Sequence, residues 1–328
     1  MNEKQFIEKY QADLPIYKAW GDYVKNRICN KIKDTDDIDT FLKINCEPRV
    51  KDLDSIVQKA FYRDKPYTDP YNQITDKVGL RFVVLLGSDI KKVGKIIENI
   101  EEWDARKDRD FEEERDHKPN VFDYQSVHYV VKNKKPIQQG DCEIPAGTPC
   151  EIQIRTLMQH SYSEVTHDKL YKKTHPNSKL YRNVAKCMAL IEVVDDLYME
   201  VDEIVSKKET FYKGYLDKLK SKYVTLLNSD NSENHEQNYS EKLNMYILEE
   251  LDELISEIPV DDVVNSTNQY GDYINRSYLS NKLYQQPTTL LIYYIIDADR
   301  RSMFTKLKNL WPLSERQLES FSHDLSKY

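Results

Sequence analysis

The stretch VGLRFVVLLG, residues 78–87, is the part of the sequence that decides the fold. It is a nearly continuous apolar run, rich in β-branched residues and ending at a glycine, which is typical of a buried strand. Two later stretches, VHYVVK at 127–132 and CEIQIR at 150–155, alternate apolar and polar residues as strands do. The connecting stretch 134–148 holds Pro, Gly and Gln, which indicates a loop or hairpin. We therefore predict a central sheet.

Helical periodicity surrounds these strands. Apolar residues recur at helical spacing over the first thirty residues, over 52–62, and from 157 to about 223. Ser88-Asp89 offers an N-cap for a further helix that runs through Ile100. Only 8 glycines and 12 prolines occur in 328 residues, which favours long helices joined by short loops. The fold class predicted from the residues is α/β or α+β.

The C-terminal part differs in charge from the rest. Residues 229–328 contain 17 acidic and 9 basic residues, so this part carries the entire net charge of −8. The segment 229–240, SDNSENHEQNYS, is polar and indicates a linker. Helical segments follow it, the first over 241–257. We predict three parts: a domain with flanking helices over 1–228, the linker 229–240, and an acidic helical region over 241–328.

Composition also limits the cellular setting. The N-terminal residues MNEKQFIEKY lack the pattern of a secretion signal, and the longest apolar run, 290–296, is too short for a membrane span. The five cysteines form no CxxC pair, which argues against a zinc site or a disulfide framework. We expect a cytoplasmic protein with no membrane partner.

Four blocks in order carry the chemistry: RVKDLDSIVQK at 49–59, DKVGLR at 76–81, DYQSVH at 123–128 and EIQIRT at 151–156. The first would place Lys51, Ser55 and Lys59 on one helix face, where two ammonium groups and a hydroxyl can hold a polyphosphate. Such a stripe is also common on a solvated helix face. Asp76 stands at a strand entrance, and Glu151 shares a strand face with Gln153 and Arg155.

Taken together, these blocks resemble the synthetase domain of RelA/SpoT homologues, in particular the small alarmone synthetases. The resemblance covers about residues 41–173. It implies a mixed central sheet flanked by helices, a nucleotidyltransferase-like synthetase fold. It also implies a GTP pyrophosphokinase-type activity, in which ATP donates its β,γ-pyrophosphate to the ribose 3′-hydroxyl of GDP or GTP and (p)ppGpp is made. The chain has no HDxxED motif, so we expect no alarmone hydrolysis.

The resemblance implies a role for each donor-side residue. Arg49 and Arg81 would stack on the adenine of ATP. The ATP phosphates would be held by Lys51, Ser55 and Lys59. Mg²⁺ would be bound by Asp76 and Glu151, and Glu151 could instead accept the proton of the 3′-hydroxyl.

On the acceptor side, the resemblance implies that Tyr124 stacks on the acceptor base and that Gln153 positions the acceptor. Contacts to the acceptor would also come from His128, from His167, and from Arg115 and Lys118 in the basic loop RDHKPN.

Other functions stay open at this stage. The chain could be a toxic relative, of the kind found in toxin–antitoxin or phage-defence systems, that pyrophosphorylates the tRNA 3′ end or makes adenosine alarmones. It could also be a degenerate module that binds nucleotides without catalysis. For the C-terminal region, the alternatives are a module that inhibits in cis or binds a regulator, and a helical appendage for packing or homo-oligomerisation.

Overall fold

Five strands form one mixed sheet in the order β1-β2-β7-β4-β3. The computed structural model describes residues 1–63, 66–122, 126–169, 178–228, 239–279, 281–298, 307 and 319–321. The strands of this sheet are β1 (Arg49–Val50), β2 (Val78–Val84), β3 (Trp103–Arg109), β4 (Val127–Asn133) and β7 (Pro149–Thr156). β2 and β7 are parallel, and the other neighbouring pairs are antiparallel. The predicted mixed sheet is confirmed.

The helices of the N-terminal part lie before, between and after these strands. They are α1 (Glu3–Ala12), α2 (Leu14–Lys33), α3 (Ile38–Phe41), α4 (Leu53–Val57), α5 (Pro70–Gln73), α6 (Gly87–Asn99), α7 (Phe111–His117), α8 (Leu157–Lys169) and α9 (Ser178–Asn228). A π-helical turn, Gln58–Tyr62, follows α4 directly.

One face of the sheet is covered by α2 and α6. Both helices bury an apolar stripe, which includes Trp20, Val24 and Ile28 on α2 and Val93 and Ile97 on α6. At Gly21, a Cβ atom would come within 2.6 Å of Pro48 Cβ and 2.9 Å of Val78 Cγ2. Glycine therefore lets α2 approach the start of β2 closely, and burial of this face leaves the opposite face for polar side chains.

The sequence did not predict two of the strands. β1 has two residues, too few to show a period. β3, WDARKDR, is charged along an edge of the sheet, where its polar residues remain exposed. The stretch 134–148 contains a hairpin of β5 (Ile137–Gln139) and β6 (Cys142–Ile144), one of the two forms expected.

The C-terminal part of the described chain is helical and has its own hydrophobic core. Its elements are α10 (Glu241–Glu250), α11 (Asp252–Glu257), α12 (Val260–Ser266), a 3₁₀ turn (Thr267–Tyr270), α13 (Gly271–Ser277), a 3₁₀ turn (Lys282–Gln285) and α14 (Thr289–Ala298). The single helix predicted over 241–257 is two helices that divide at Leu251. The chain divides into two compact units, 1–201 and 202–328, and α9 contributes to both.

Most of the predicted linker lies outside the described residues. Every helix in the described ranges is too short or too polar to cross a bilayer.

Candidate active site

The uncovered face of the sheet forms the floor of a cavity of about 800 Å³. Strand register aligns its polar side chains in a row, because Arg81 pairs with Gln153 and Gln153 pairs with His128. Two residues before Gln153 in β7, Glu151 pairs with Gly79, which has no side chain to fill the space beside it. The face that carries Glu151 and Gln153 in the predicted strand therefore opens into the cavity.

A carboxylate between two lysines lies at the cavity wall, where Asp76 and Lys51 are lining residues. Asp76, in the turn before β2, accepts from Lys51 Nζ at 2.7 Å and lies 2.8 Å from Lys59 Nζ through the same oxygen, Oδ2. The side chains of the three residues are between 14% and 23% exposed, so water screens these charges little. The lysines of the predicted phosphate-binding stripe and the predicted metal ligand therefore form one cluster.

The route by which the lysines meet differs from the prediction. Lys51 precedes helix α4, because Arg49 and Val50 pair with β2 and Asp52 is the N-cap, accepting from Ser55 N at 2.9 Å. Lys59 lies in the π-helical turn that follows α4. The prediction that Lys51, Ser55 and Lys59 share one helix face is therefore wrong for Lys51.

The Asp76 carboxyl group is ionised, and only one of its two oxygens has a partner. Burial acts to raise the pKa of Asp76, but the hydrogen bonds and charges of Lys51 and Lys59 outweigh it, and the pKa lies below its ordinary value. Its second oxygen, Oδ1, is buried without a hydrogen-bond partner. A buried carboxylate oxygen of this kind is costly unless a cation or donor binds it.

Glu151 is the second carboxylate of the cavity. Its Oε1 lies 3.6 Å from His128 Nδ1, and its Oε2 accepts from Gln153 Nε2 at 3.0 Å. Burial and the nearby charge of Asp76 act to raise the pKa of Glu151, but the interaction with His128 outweighs them and the pKa is lowered. His128 is itself held by Ser126, whose Oγ lies 2.5 Å from Nε2.

The oxygen donors of Asp76 and Glu151 are of the kind that Mg²⁺ binds. Mg²⁺ prefers hard oxygen ligands, and in nucleotide sites it uses one or two carboxylates together with phosphate oxygens. Asp76 offers its unpartnered Oδ1, and Glu151 lines the same cavity. No cluster of three or more metal-binding side chains occurs among the described residues.

The two arginines expected at the adenine line the same cavity. Arg49 is exposed on β1, and Arg81 donates to Glu164 at 2.8 Å. Glu164 also lies 3.9 Å from His160 Nδ1. Burial and the charge of Arg81 lower the pKa of His160, so this side chain is neutral at physiological pH.

Fewer of the residues expected at the acceptor line the cavity. Arg115 lies in helix α7 and not in a loop, because Asp110 caps that helix and Glu112, Glu113 and Glu114 favour its first turn. Arg115 and Lys118 are outside the lining of the cavity. Tyr124 and the side chain of His167 lie outside the described residues.

The cavity lining includes three arginines that the sequence did not assign to the site: Arg63, Arg109 and Arg155. Arg109, at the end of β3, pairs with His128 across the sheet and forms a bidentate ion pair with Glu114, at 2.8 and 2.7 Å. Arg155, on β7, is buried and donates to Ser163 Oγ at 2.6 Å. Alternation along CEIQIR already placed Arg155 on this face, whereas Arg109 needed the register of β3.

Residues 48–176 match a family model described as a region found in RelA/SpoT proteins. The matched range contains all four blocks and the whole of the five-stranded sheet. No curated protein matches the chain.

Solved structures of similar fold include two small alarmone synthetases from Bacillus subtilis. Small alarmone synthetase 1 is 22% identical with a TM-score of 0.49, over 61% of this chain and 99% of that one. Small alarmone synthetase 2 is 19% identical with a TM-score of 0.48, over 59% and 98%. A GTP pyrophosphokinase family protein from Streptococcus pneumoniae is 19% identical with a TM-score of 0.47, over 62% and 98%. By its match over residues 48–176, this chain contains a RelA/SpoT-type domain.

Proposed function

We propose that this chain transfers the β,γ-pyrophosphoryl group of ATP to the ribose 3′-hydroxyl of GDP or GTP. The observation that carries the proposal is the Lys51–Asp76–Lys59 cluster inside the RelA/SpoT region, of which Lys51 and Asp76 line one cavity with Glu151. In the reaction, the 3′-oxygen forms a bond to the β-phosphorus, the bond from the α,β-bridging oxygen to the β-phosphorus breaks, and AMP leaves. The proton of the 3′-hydroxyl passes to a base.

The lysines are suited to hold the donor phosphates. Both ammonium groups are directed to Asp76 Oδ2, so both are held near one point on the cavity wall. Phosphate oxygens arriving at this point would find cations already oriented, so little reorganisation is needed during the transfer. Ser55 adds a hydroxyl at the same wall of the cavity.

Arg49 and Arg81 are suited to the adenine. They lie on the adjacent strands β1 and β2, where Arg49 pairs with Gly79, two residues before Arg81. Both arginines line the cavity. Their planar guanidinium groups can stack on a purine and stay charged at all physiological pH values.

Glu151 is suited to the reacting oxygen. Its lowered pKa keeps it ionised near neutral pH, as both a proton acceptor and a metal ligand require. Bound Mg²⁺, held by Asp76 and Glu151, would supply positive charge that stabilises the transferred group. Gln153 and His128, which contact Glu151, hold its carboxylate in place.

The acceptor is assigned by a direct assay. Purified protein is incubated with Mg²⁺ and ATP labelled in the β and γ phosphates, and GDP, GTP, ATP and deacylated tRNA are offered in separate reactions. We expect the label on GDP and GTP and its loss in Glu151→Gln. Labelled tRNA or adenosine nucleotide instead would assign one of the toxic activities, and no transfer to any acceptor would identify a binding module.

A further inference from the structure

Three polar side chains of β7 form a chain of hydrogen bonds along the face of the sheet that lines the cavity. Arg155 Nη2 donates to Gln153 Oε1, and Gln153 Nε2 donates to Glu151 Oε2 at 3.0 Å. The three residues alternate along the strand and therefore share one face. Because the chain ends at Glu151, whatever fixes the Gln153 amide also acts on the Glu151 carboxylate.

The chemistry of the two ends allows only one orientation of the Gln153 amide. A guanidinium group carries only donors, so the amide must turn its oxygen to Arg155. A carboxylate carries only acceptors, so the amide must turn its nitrogen to Glu151. A flipped amide would set donor against donor at one end and acceptor against acceptor at the other. In the observed orientation both hydrogen bonds involve a charged group, which makes them stronger than bonds between neutral groups.

Arg155 is the fixed end of this chain. Its side chain is 2% exposed, and its Nη1 donates to Ser163 Oγ, on helix α8, at 2.6 Å. Gln153 and Glu151 are only half-buried and line the cavity. A guanidinium group with so little accessible surface is suited to hold Gln153 and not to contact a substrate directly.

We infer that Arg155 is a positioning residue for Glu151, because it fixes the orientation of the Gln153 amide that holds the Glu151 carboxylate. The same geometry gives Gln153 a role toward Glu151 in place of the role toward the acceptor that the resemblance implies. The effect on turnover rests on the proposed function, whereas the chain of contacts does not.

Turnover of labelled ATP with GTP, measured on the full-length protein, tests the kinetic consequence. Arg155→Met removes the donors, and we expect kcat to fall about tenfold with KM for ATP unchanged, because Lys51 and Lys59 are unaltered. Gln153→Leu should lower kcat by a similar factor without raising KM for GTP. The double variant should be no slower than the slower single variant, since both changes break one chain. Arg182→Met, an exposed arginine of α9 outside the cavity lining, is the matched control.

Two kinetic results would overturn the inference. One is a pair of losses that multiply in the double variant, because Arg155 and Gln153 would then act separately. The other is a raised KM for GTP with unchanged kcat in Gln153→Leu, because Gln153 would then serve the acceptor. Circular dichroism melting reports folding. Should Arg155→Met unfold, Ser163→Ala takes its place: it removes the anchor of Arg155 on α8 and should lower kcat about threefold, and unchanged turnover would overturn the inference.

A second measurement examines the chain of contacts without catalysis. In ¹⁵N-labelled protein, the side-chain amide signal of Gln153 is identified by its absence in Gln153→Leu. We expect Arg155→Met to speed the exchange of these amide protons with water by more than about threefold, and Arg155→Lys, which keeps a donor, to restore part of the protection. Unchanged exchange in Arg155→Met would overturn the inference. A wild type without transfer activity, whose Gln153 amide still depends on Arg155, would refute the proposed function and leave the chain of contacts in place.

Discussion

The proposed donor side of the site and the proposed acceptor side differ in how far their charges are buried. On the donor side, Lys51 and Lys59 already hold a charge partner, Asp76, and all three are mostly buried. On the acceptor side, half-buried Arg115 and exposed Lys118 belong to α7 and its C-terminal cap, outside the cavity lining. Buried charge clusters keep their geometry in the absence of ligand, whereas exposed side chains lose conformational entropy when they bind. We expect the two sides to respond differently to substitution.

The largest effect should come from the donor side. Asp76→Asn removes the charge that holds Lys51 and Lys59 together, and it removes a candidate metal ligand. We expect a loss of about 10³-fold in kcat for pyrophosphoryl transfer. The measurement is steady-state turnover of labelled ATP with GDP. Asp54→Asn, an exposed carboxylate on α4, is the matched control and should keep wild-type turnover.

Glu151→Gln tests the boundary between the two sides. The amide keeps the shape of the side chain but can neither accept the proton nor bind a cation as strongly, so we expect kcat to fall about 10²-fold. KM for ATP should change little, because Lys51 and Lys59 are unaltered. Near-normal turnover in the variant would contradict the assigned role. Glu143→Gln, an exposed glutamate on β6, serves as the control.

The cations proposed for the acceptor should matter less. Removing Arg115 or Lys118 by substitution with alanine should raise KM for GTP by about threefold, with kcat unchanged, since charges accessible to solvent contribute weakly. Because salt screens such charges, the difference from wild type should shrink between 50 and 500 mM KCl. A loss of kcat as large as that of Asp76→Asn would contradict this prediction, because it would mean that these cations act in the transfer step.

Substitution of Asp195 should have the smallest effect on turnover. It should instead change how the free energy of unfolding depends on pH. This residue of α9 is buried, with Oδ2 accepting from Thr156 Oγ1 at 2.8 Å and Oδ1 without a partner. Burial raises the pKa of Asp195 to about 6. The folded state therefore binds a proton more tightly than the unfolded state, so this group contributes most to stability at low pH and its contribution is lost as pH rises through 6.

Asp195→Asn removes the ionisable group, and with it the loss of folding free energy that the buried charge causes above its pKa. We expect its free energy of unfolding to exceed that of wild type by about 1–2 kcal/mol at pH 7.5, with the gain shrinking toward pH 5. Urea unfolding at both pH values measures it, with exposed Asp196→Asn as control. A gain of the same size at pH 5 and 7.5 would contradict a pKa near 6.

The sequence predicted the parts of this structure that follow a period or a motif. β2, β4, β7 and α6 were predicted because burial imposes a regular apolar pattern on them. The edge strand β3 was missed because its residues are charged. The end of α7 was predicted as part of the loop RDHKPN, although the capping residue Asp110 was a usable signal for a helix.

The sequence pointed to residues that meet in the structure and not to the contacts among them. The resemblance assigned Lys51 and Lys59 to the ATP phosphates and Asp76 to Mg²⁺, and these roles stay predictions. The mutual contact of these three residues depends on the turn before β2 and on the π-helical turn, neither of which has a sequence period. Arg109 entered the cavity only through cross-strand register, since β3 and β4 pair it with His128.

The parallel pairing of β2 with β7 has a consequence for how the protein is made. Gly79 pairs with Glu151, so the two central strands are about 70 residues apart in the chain. Contacts of such long range are slow to form, because the loop between them must close before the pairing stabilises it. On the ribosome, the lysine-rich donor wall is synthesised well before β7. A nascent chain therefore leaves the apolar flank of β2 uncovered until residue 156 has emerged, and we expect this interval to be its period of greatest need for a chaperone.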